Sequence, residues 1–141
     1  MTFAELLQNN YIFLDGGMGT MLQARGMQAG ERPELLNLKD PALVEQVQRA
    51  YVEAGSNIIC SNTFGANRAK LTGSGATVQQ VIPAAIQCAR RAAAGKALVA
   101  LDLGPTGQML EPTGSLTFEQ AYDLYAEQVD AGQEADLILI E

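Results

Sequence analysis

Four short apolar runs in this chain end in polar groups. Asp15 follows Tyr11-Ile12-Phe13-Leu14, and Ser61 with Asn62 follows Asn57-Ile58-Ile59-Cys60. Asp102 follows Ala97-Leu98-Val99-Ala100-Leu101, and Glu141 follows Leu137-Ile138-Leu139-Ile140. Ligands of parallel α/β folds bind at the carboxyl ends of strands, so such groups at successive strand ends describe one site. Each group alone would serve equally well as a helix cap or a loop bracket. Asp15 and Glu141 are carboxylates suited to an ammonium group. Behind Asp15, the glycines Gly16, Gly17 and Gly19 let backbone N–H groups approach a carboxylate, helped by the start of a short helix after Thr20. Together these features describe a pocket for a zwitterionic amino acid.

Other chemistries fit poorly. Gly17-Met18-Gly19 is followed by Thr20, Met21 and Leu22, so the third glycine of a dinucleotide fingerprint is missing, and no lysine follows to make a P-loop. The chain has no histidine, which excludes Ser-His-Asp, Cys-His and histidine-ligated metal chemistry within it. Its two cysteines, Cys60 and Cys88, form no disulfide framework. Both read as small buried hydrophobes, Cys88 from its place beside Ala85 and Ala89 on a helix. The formal net charge is −7 and the basic residues are scattered apart from Arg90-Arg91, so neither nucleic acid nor an anionic membrane surface is an expected partner. No apolar run approaches the roughly 20 residues that span a bilayer. The N-terminal MTFAELLQNN carries an acid and no basic region, unlike a secretory signal. A cytoplasmic, reducing compartment is the simple inference.

The elements that would position the polar groups follow from periodicity. With 141 residues, 48% apolar and 18% charged, the chain has the balance of one globular domain. The four apolar runs are continuous rather than alternating, which favours parallel strands covered on both faces, with helices as crossovers. Asp40 and Pro41 are placed as N-cap and first residue of a helix whose apolar face is Leu43, Val44, Val47, Ala50, Tyr51 and Ala54, closed by Gly55. The helix after the second strand has a blurred start around Pro83, carries Ile82, Ala85, Ile86 and Ala89, and ends at Gly95. Thr117 and Gln120 have capping-box spacing and open a helix carrying Ala121, Tyr122, Leu124, Tyr125 and Val129. Strand, loop and helix repeat with a period of roughly 40 residues, somewhat longer than a minimal barrel unit. The last strand has no helix after it to cover it, so the expectation is a truncated domain.

These stretches also carry a resemblance. LDGGMGTML, PELLNLKDP, AYVEAGSNIICSNTFGANRAKL, LDLGPTG and ADLILIE, in that order over essentially the whole chain, resemble the homocysteine S-methyltransferase family. NTFGAN and LGPTG are closer to the homocysteine module of the cobalamin-dependent methionine synthases than to the betaine-dependent enzymes. The resemblance implies a (β/α)₈ TIM barrel, of which residues 1–141 would be the N-terminal half, ending after about the fourth strand. It implies homocysteine as substrate, with Asp15 and Glu141 holding its amino group. Gly16 and Gly17 would give backbone contacts, and Asn62 and Thr63 would line the pocket. It implies methyl transfer to a thiolate bound by zinc, giving methionine. The zinc ligands are cysteines of the second half of the barrel, two of them adjacent; neither Cys60 nor Cys88 matches one, so the metal is not held by this chain. Cobalamin and methyltetrahydrofolate would be bound by other domains. Partners would be the rest of the barrel or a second copy. The chain alone would be inactive, with no catalytic residue of its own. The alternative is a small amino-acid-binding or complementing subunit that is not catalytic by itself.

Overall fold

The computed structural model describes residues 1–9 and 11–141. Helix α1 is Phe3–Leu6, α2 is Met18–Gln23, α3 is Leu36–Lys39 and α4 is Pro41–Glu53. Strand β1, Ile58–Cys60, is followed by α5, Arg68–Leu71, and α6, Val78–Ala93. Strand β2 is Leu98–Leu103, helix α7 is Phe118–Ala131 and strand β3 is Leu137–Ile140. A 3₁₀ turn, Pro33–Leu35, precedes α3. The strands form one parallel sheet in the order β1-β2-β3.

The central strand β2 is buried along its whole length, as a strand covered on both faces must be. On one face Ile59, Val99, Leu101 and Leu103 pack with Val81, Ile82, Ile86 and Ala89 of α6. On the other, Ile58, Leu98 and Ala100 pack with Leu6 and, less deeply, with Leu137 and Leu139. Ile138 and Ile140 pair with Leu101 and Leu103, so they share the helix-covered face, yet both are exposed. That part of the sheet has no helix over it among the described residues. Side-chain ties fix α6 to its neighbours: Arg90 donates to both carboxylate oxygens of Asp136 at 2.6 and 3.0 Å, and Arg91 reaches Glu45 at 2.7 Å.

Several expectations hold and others are corrected. Asp40 caps α4 by accepting from the Leu43 N–H, with Pro41 at the first turn. Thr117 and Gln120 form the capping box of α7. The run Tyr11–Leu14 is not a strand but an extended segment with one parallel bridge, Leu14 to Ile58. The Asn57 side chain takes the Phe13 N–H, and the Asn57 and Ile58 N–H groups converge on the Phe13 carbonyl, so no regular ladder starts there. Helix α6 begins at Val78, well before Pro83, under a capping box made by Thr77 and Gln80. Helix α2 begins at Met18 and contains Thr20 instead of following it. Tyr122 is 64% exposed and lies outside the buried face of α7, while Gln128 lies within it. Strand β2 runs on through Asp102 to Leu103 because its pairing with β3 continues to Ile140. Among the described residues no helix is long and apolar enough to cross a membrane.

Candidate functional site

The carboxyl ends of the parallel segments open into a cavity of about 460 Å³. Asp15, Cys60, Ser61, Asp102 and Glu141 line it from the strand ends. The loop after Asp15 lines it through Gly16, Gly17 and Gly19, the 3₁₀ turn through Pro33 and Glu34, and the segment after β1 through Asn62, Thr63 and Phe64. All six residues expected from the sequence to meet a substrate border this one space: Asp15, Gly16, Gly17, Asn62, Thr63 and Glu141.

Their side chains are differently engaged. One Asp15 carboxylate oxygen accepts the Cys60 N–H at 2.8 Å, which fixes the acid against the end of β1. Tyr51 of α4 donates to the Gly17 carbonyl at 2.9 Å, and its ring lies so near Gly16 that a Cβ there would come within 2.9 Å of the hydroxyl. Glycine at 16 is thus a matter of close approach. No side chain caps α2, so the N–H groups of the loop entering it are left without a capping acceptor.

Asn62 and Thr63 build the wall. The Asn62 amide donates to the Pro33 carbonyl at 2.7 Å and to the Asn37 amide oxygen at 3.2 Å. The Asn37 amide in turn donates to the Asn62 carbonyl. The Thr63 hydroxyl donates to the Asp102 carbonyl at 2.7 Å and pairs with the Ser61 hydroxyl at 2.8 Å. The site is acidic throughout: Asp15, Glu34, Asp102 and Glu141 line it, and no lysine, arginine or histidine is among its lining residues. Glu34, which sequence reasoning did not single out, accepts the Gly65 N–H at 2.7 Å. The only signal for it was its place inside PELLNLKDP.

The crowding of acids shows in their proton affinities. Burial pushes the Asp15 carboxyl above its ordinary value; the hydrogen bond from Cys60 pulls it partly back, and the Glu141 charge adds to the rise. Burial, then the charges of Glu141, Asp15 and Glu34, push Asp102 up to about 7. Cys60 is half-buried rather than fully buried, and it lines the cavity. Burial, then Asp15 and the other acids, raise its thiol far above the ordinary range, so it stays protonated in the metal-free chain. Cys88 lies in the core, packed with Val44 and Val47.

The zinc that the family resemblance implies does not fit these residues. The cavity offers one cysteine, and the chain has no histidine. Among the described residues no three His, Cys, Asp or Glu are grouped to hold a metal ion. A catalytic zinc needs three protein ligands. Metal analysis of this chain after dialysis should therefore find zinc far below one per chain; a retained stoichiometric zinc would show that the donor set has been misjudged.

A parallel sheet with crossover helices and polar groups gathered at its strand ends defines an α/β domain. Residues 12–141 match the profile of the homocysteine S-methyltransferase family, and the chain belongs to that family. It is 36% identical over 75 residues to methionine synthase from Mycobacterium tuberculosis and, over the same length, to that from Mycobacterium leprae, covering 48% of this chain and 6% of each relative. The fold matches the metallated form of the homocysteine methyltransferase MmuM from Escherichia coli with a TM-score of 0.84 at 24% identity, over 99% of this chain and 56% of that one. The oxidised form matches with a TM-score of 0.81. The chain thus spans about half of a TIM-barrel homocysteine methyltransferase and a small part of the methionine synthases.

Proposed function

We propose that this chain forms the amino-acid-fixing part of a homocysteine S-methyltransferase that makes methionine by methyl transfer to the homocysteine thiolate. One observation carries the reading: carboxylates from neighbouring strand ends converge on a single cavity whose lining has no cation to balance them. A ligand ammonium supplies that balance. Asp15 and Glu141 accept its hydrogen bonds, and the N–H groups of Gly16 and Gly17 meet the ligand carboxylate. Asn62 and Thr63 hold the wall in place through their bonds to the 3₁₀ turn and β2. With both ends of the amino acid fixed, its thiol points away from the strand ends. The chain's part is orientation of the substrate, and thiol activation belongs to residues other than these. The likeness to methionine synthases supports cobalamin and methyltetrahydrofolate, bound by other domains, as the methyl source, and a cytoplasmic setting. The uncovered outer face of β3 supports further strand–helix units of the barrel as the cover, with a second copy as the alternative.

The test is Glu141→Gln in the full-length protein. The change keeps shape and removes one charge. Charge-assisted hydrogen bonds contribute roughly 1.5–3 kcal/mol each, so L-homocysteine affinity should fall about tenfold or more. The melting temperature should hold, because the exposed Glu141 side chain packs against no core cluster. Unchanged affinity in calorimetric titration of a well-folded variant would remove Glu141 from the site.

A further inference from the structure

The buried side chain of Asp102 has no place in the contacts assigned so far. The residue is 7% exposed, and its Oδ1 has no hydrogen-bond partner. Its main chain is well held: the Asp102 N–H donates to the Ser61 hydroxyl at 3.4 Å and its carbonyl accepts from Thr63. The carboxylate itself is tied to nothing. A buried carboxylate without a donor is among the more costly arrangements in a protein, and a leucine or valine would fill the position at less cost. The surrounding charges make matters worse, since Glu141, Asp15 and Glu34 are all acids. A donor brought by a ligand would relieve this arrangement.

Sheet order says where such a donor would sit. From Asp15 the order runs through β1 and β2 to β3, which ends at Glu141. Asp102 thus stands between Asp15 and Glu141 in the order of the strand ends, and the charges of both act on it. A group that touches both must pass over the end of β2, where Asp102 stands. A primary ammonium carries three N–H donors. Asp15 has one oxygen already engaged by Cys60, whereas Oδ1 of Asp102 is free. Asp102 lines the cavity, its second carboxylate oxygen is not among the solvent-shielded atoms and accepts no hydrogen bond from the chain, and the broad last torsion of aspartate lets the carboxylate turn to a ligand.

We infer that Asp102 is a further ligand-contacting residue of this cavity, its free carboxylate oxygen accepting a hydrogen bond from the ammonium group of the bound amino acid. The inference rests on the amino-acid reading above and sharpens it: the site selects for an α-ammonium through three carboxylates, not two. It has a consequence for protons. With a carboxyl that titrates near 7, the empty cavity at pH 7 holds about half a proton on Asp102, and an incoming ammonium displaces it.

The experiment is calorimetric titration of the full-length protein with L-homocysteine at pH 7, in phosphate and in Tris. These buffers differ in ionisation enthalpy, so the difference in heat reports protons released. Ionisation of the ligand thiol is common to wild type and variant, so the part due to Asp102 is the difference between them, up to about half a proton per ligand. Asp102→Asn should release measurably fewer protons than the wild type and weaken L-homocysteine about tenfold, with a melting temperature equal to or above that of the wild type. Its affinity for 4-mercaptobutanoate, which lacks the amino group, should not change. Wild-type affinity in Asp102→Asn, with the proton release intact, would overturn the role of Asp102 and leave the amino-acid reading standing. Failure of the wild type to bind L-homocysteine at all would remove both.

Discussion

Gly104→Ala destabilises the protein by about 3 kcal/mol, near the top of the range for forced overpacking, and lowers the melting temperature by roughly 10 °C. Gly104 follows β2 in the LGPTG loop, and a Cβ there would lie 2.5 Å from the Phe64 carbonyl oxygen and 2.7 Å from the Phe64 ring. Neither side can yield easily. Phe64 sits in the segment after β1, which is pinned by the Thr63 bond to Asp102, by Ala66 N–H to the Thr63 carbonyl and by Gly65 N–H to Glu34. Gly104 is held from behind by Tyr125 of α7, whose hydroxyl donates to the Gly104 carbonyl at 3.0 Å. Gly65→Ala is the informative companion. A Cβ there would come as close, 2.6 Å, but to the end of the flexible Glu34 side chain, which can swing away. Swinging away gives up the Gly65–Glu34 hydrogen bond, so its cost should be about 1–2 kcal/mol. Parallel thermal melts decide the matter: equal melting temperatures for the two variants would mean that the Phe64 segment gives way as readily as a side chain. Because Phe64 and Asp102 both line the cavity, Gly104→Ala should also weaken homocysteine binding.

Much of this arrangement was readable from local pattern, and the misreadings have local causes. The capping box at Thr117 and Gln120 announced α7, and the same spacing at Thr77 and Gln80 announced α6 equally well. There Pro83 drew the start too late. An internal proline leaves one carbonyl, that of Gln79, without its partner, and Gln79 is exposed, so water can replace the bond. The Tyr11–Leu14 run looked like a strand because its residue types favour one. What reduced it to a single bridge was a side chain distant in sequence, Asn57, which no pattern in the run itself could reveal. In the site, Asp15 and Glu141 were legible as carboxylates after apolar runs. Asn62 was legible as a polar group after an apolar run and Thr63 through the family resemblance alone, and neither reading showed their commitment to Pro33, Asn37 and Asp102. Glu34 reaches the cavity from a turn and Tyr51 holds the Gly17 carbonyl from a helix, and their proximity to Gly65 and Gly17 depends on packing between elements, which periodicity does not encode. The exposed Ile138 and Ile140 were foreseeable in kind, since a parallel strand without a covering helix must show one face.

Stability should fall as pH rises from about 4 to about 7, against the usual behaviour of ion-paired acids. The sign follows from Asp102. Its carboxyl titrates at about 7 in the folded protein and near 3.8 when unfolded, so between those values the folded state holds the proton and the unfolded state does not. Stability then declines with pH, because the slope follows protons bound in the unfolded state minus those bound in the native one. Below the window both states are protonated and the full contribution is present; above it both are ionised and the loss is complete. Asp15, also raised, acts in the same sense. Asp136 acts in the opposite sense: burial alone would raise it, but the Arg90 guanidinium and the Val99 N–H outweigh that and hold it below its ordinary value, so its effect is confined to more acid solution. The loss across the window should amount to about 1–3 kcal/mol, the usual cost of a buried polar group left without a partner. Chemical denaturation at pH 5 and pH 8 measures it. Asp102→Asn removes the titrating group, so its stability should change little between these pH values and should exceed that of the wild type at pH 8. A saturating amino-acid ligand should restore part of the wild-type loss, since its ammonium satisfies the charge that ionisation creates. A wild type equally stable at both pH values, with the variant tracking it, would mean that water already reaches Asp102 and that its burial costs nothing.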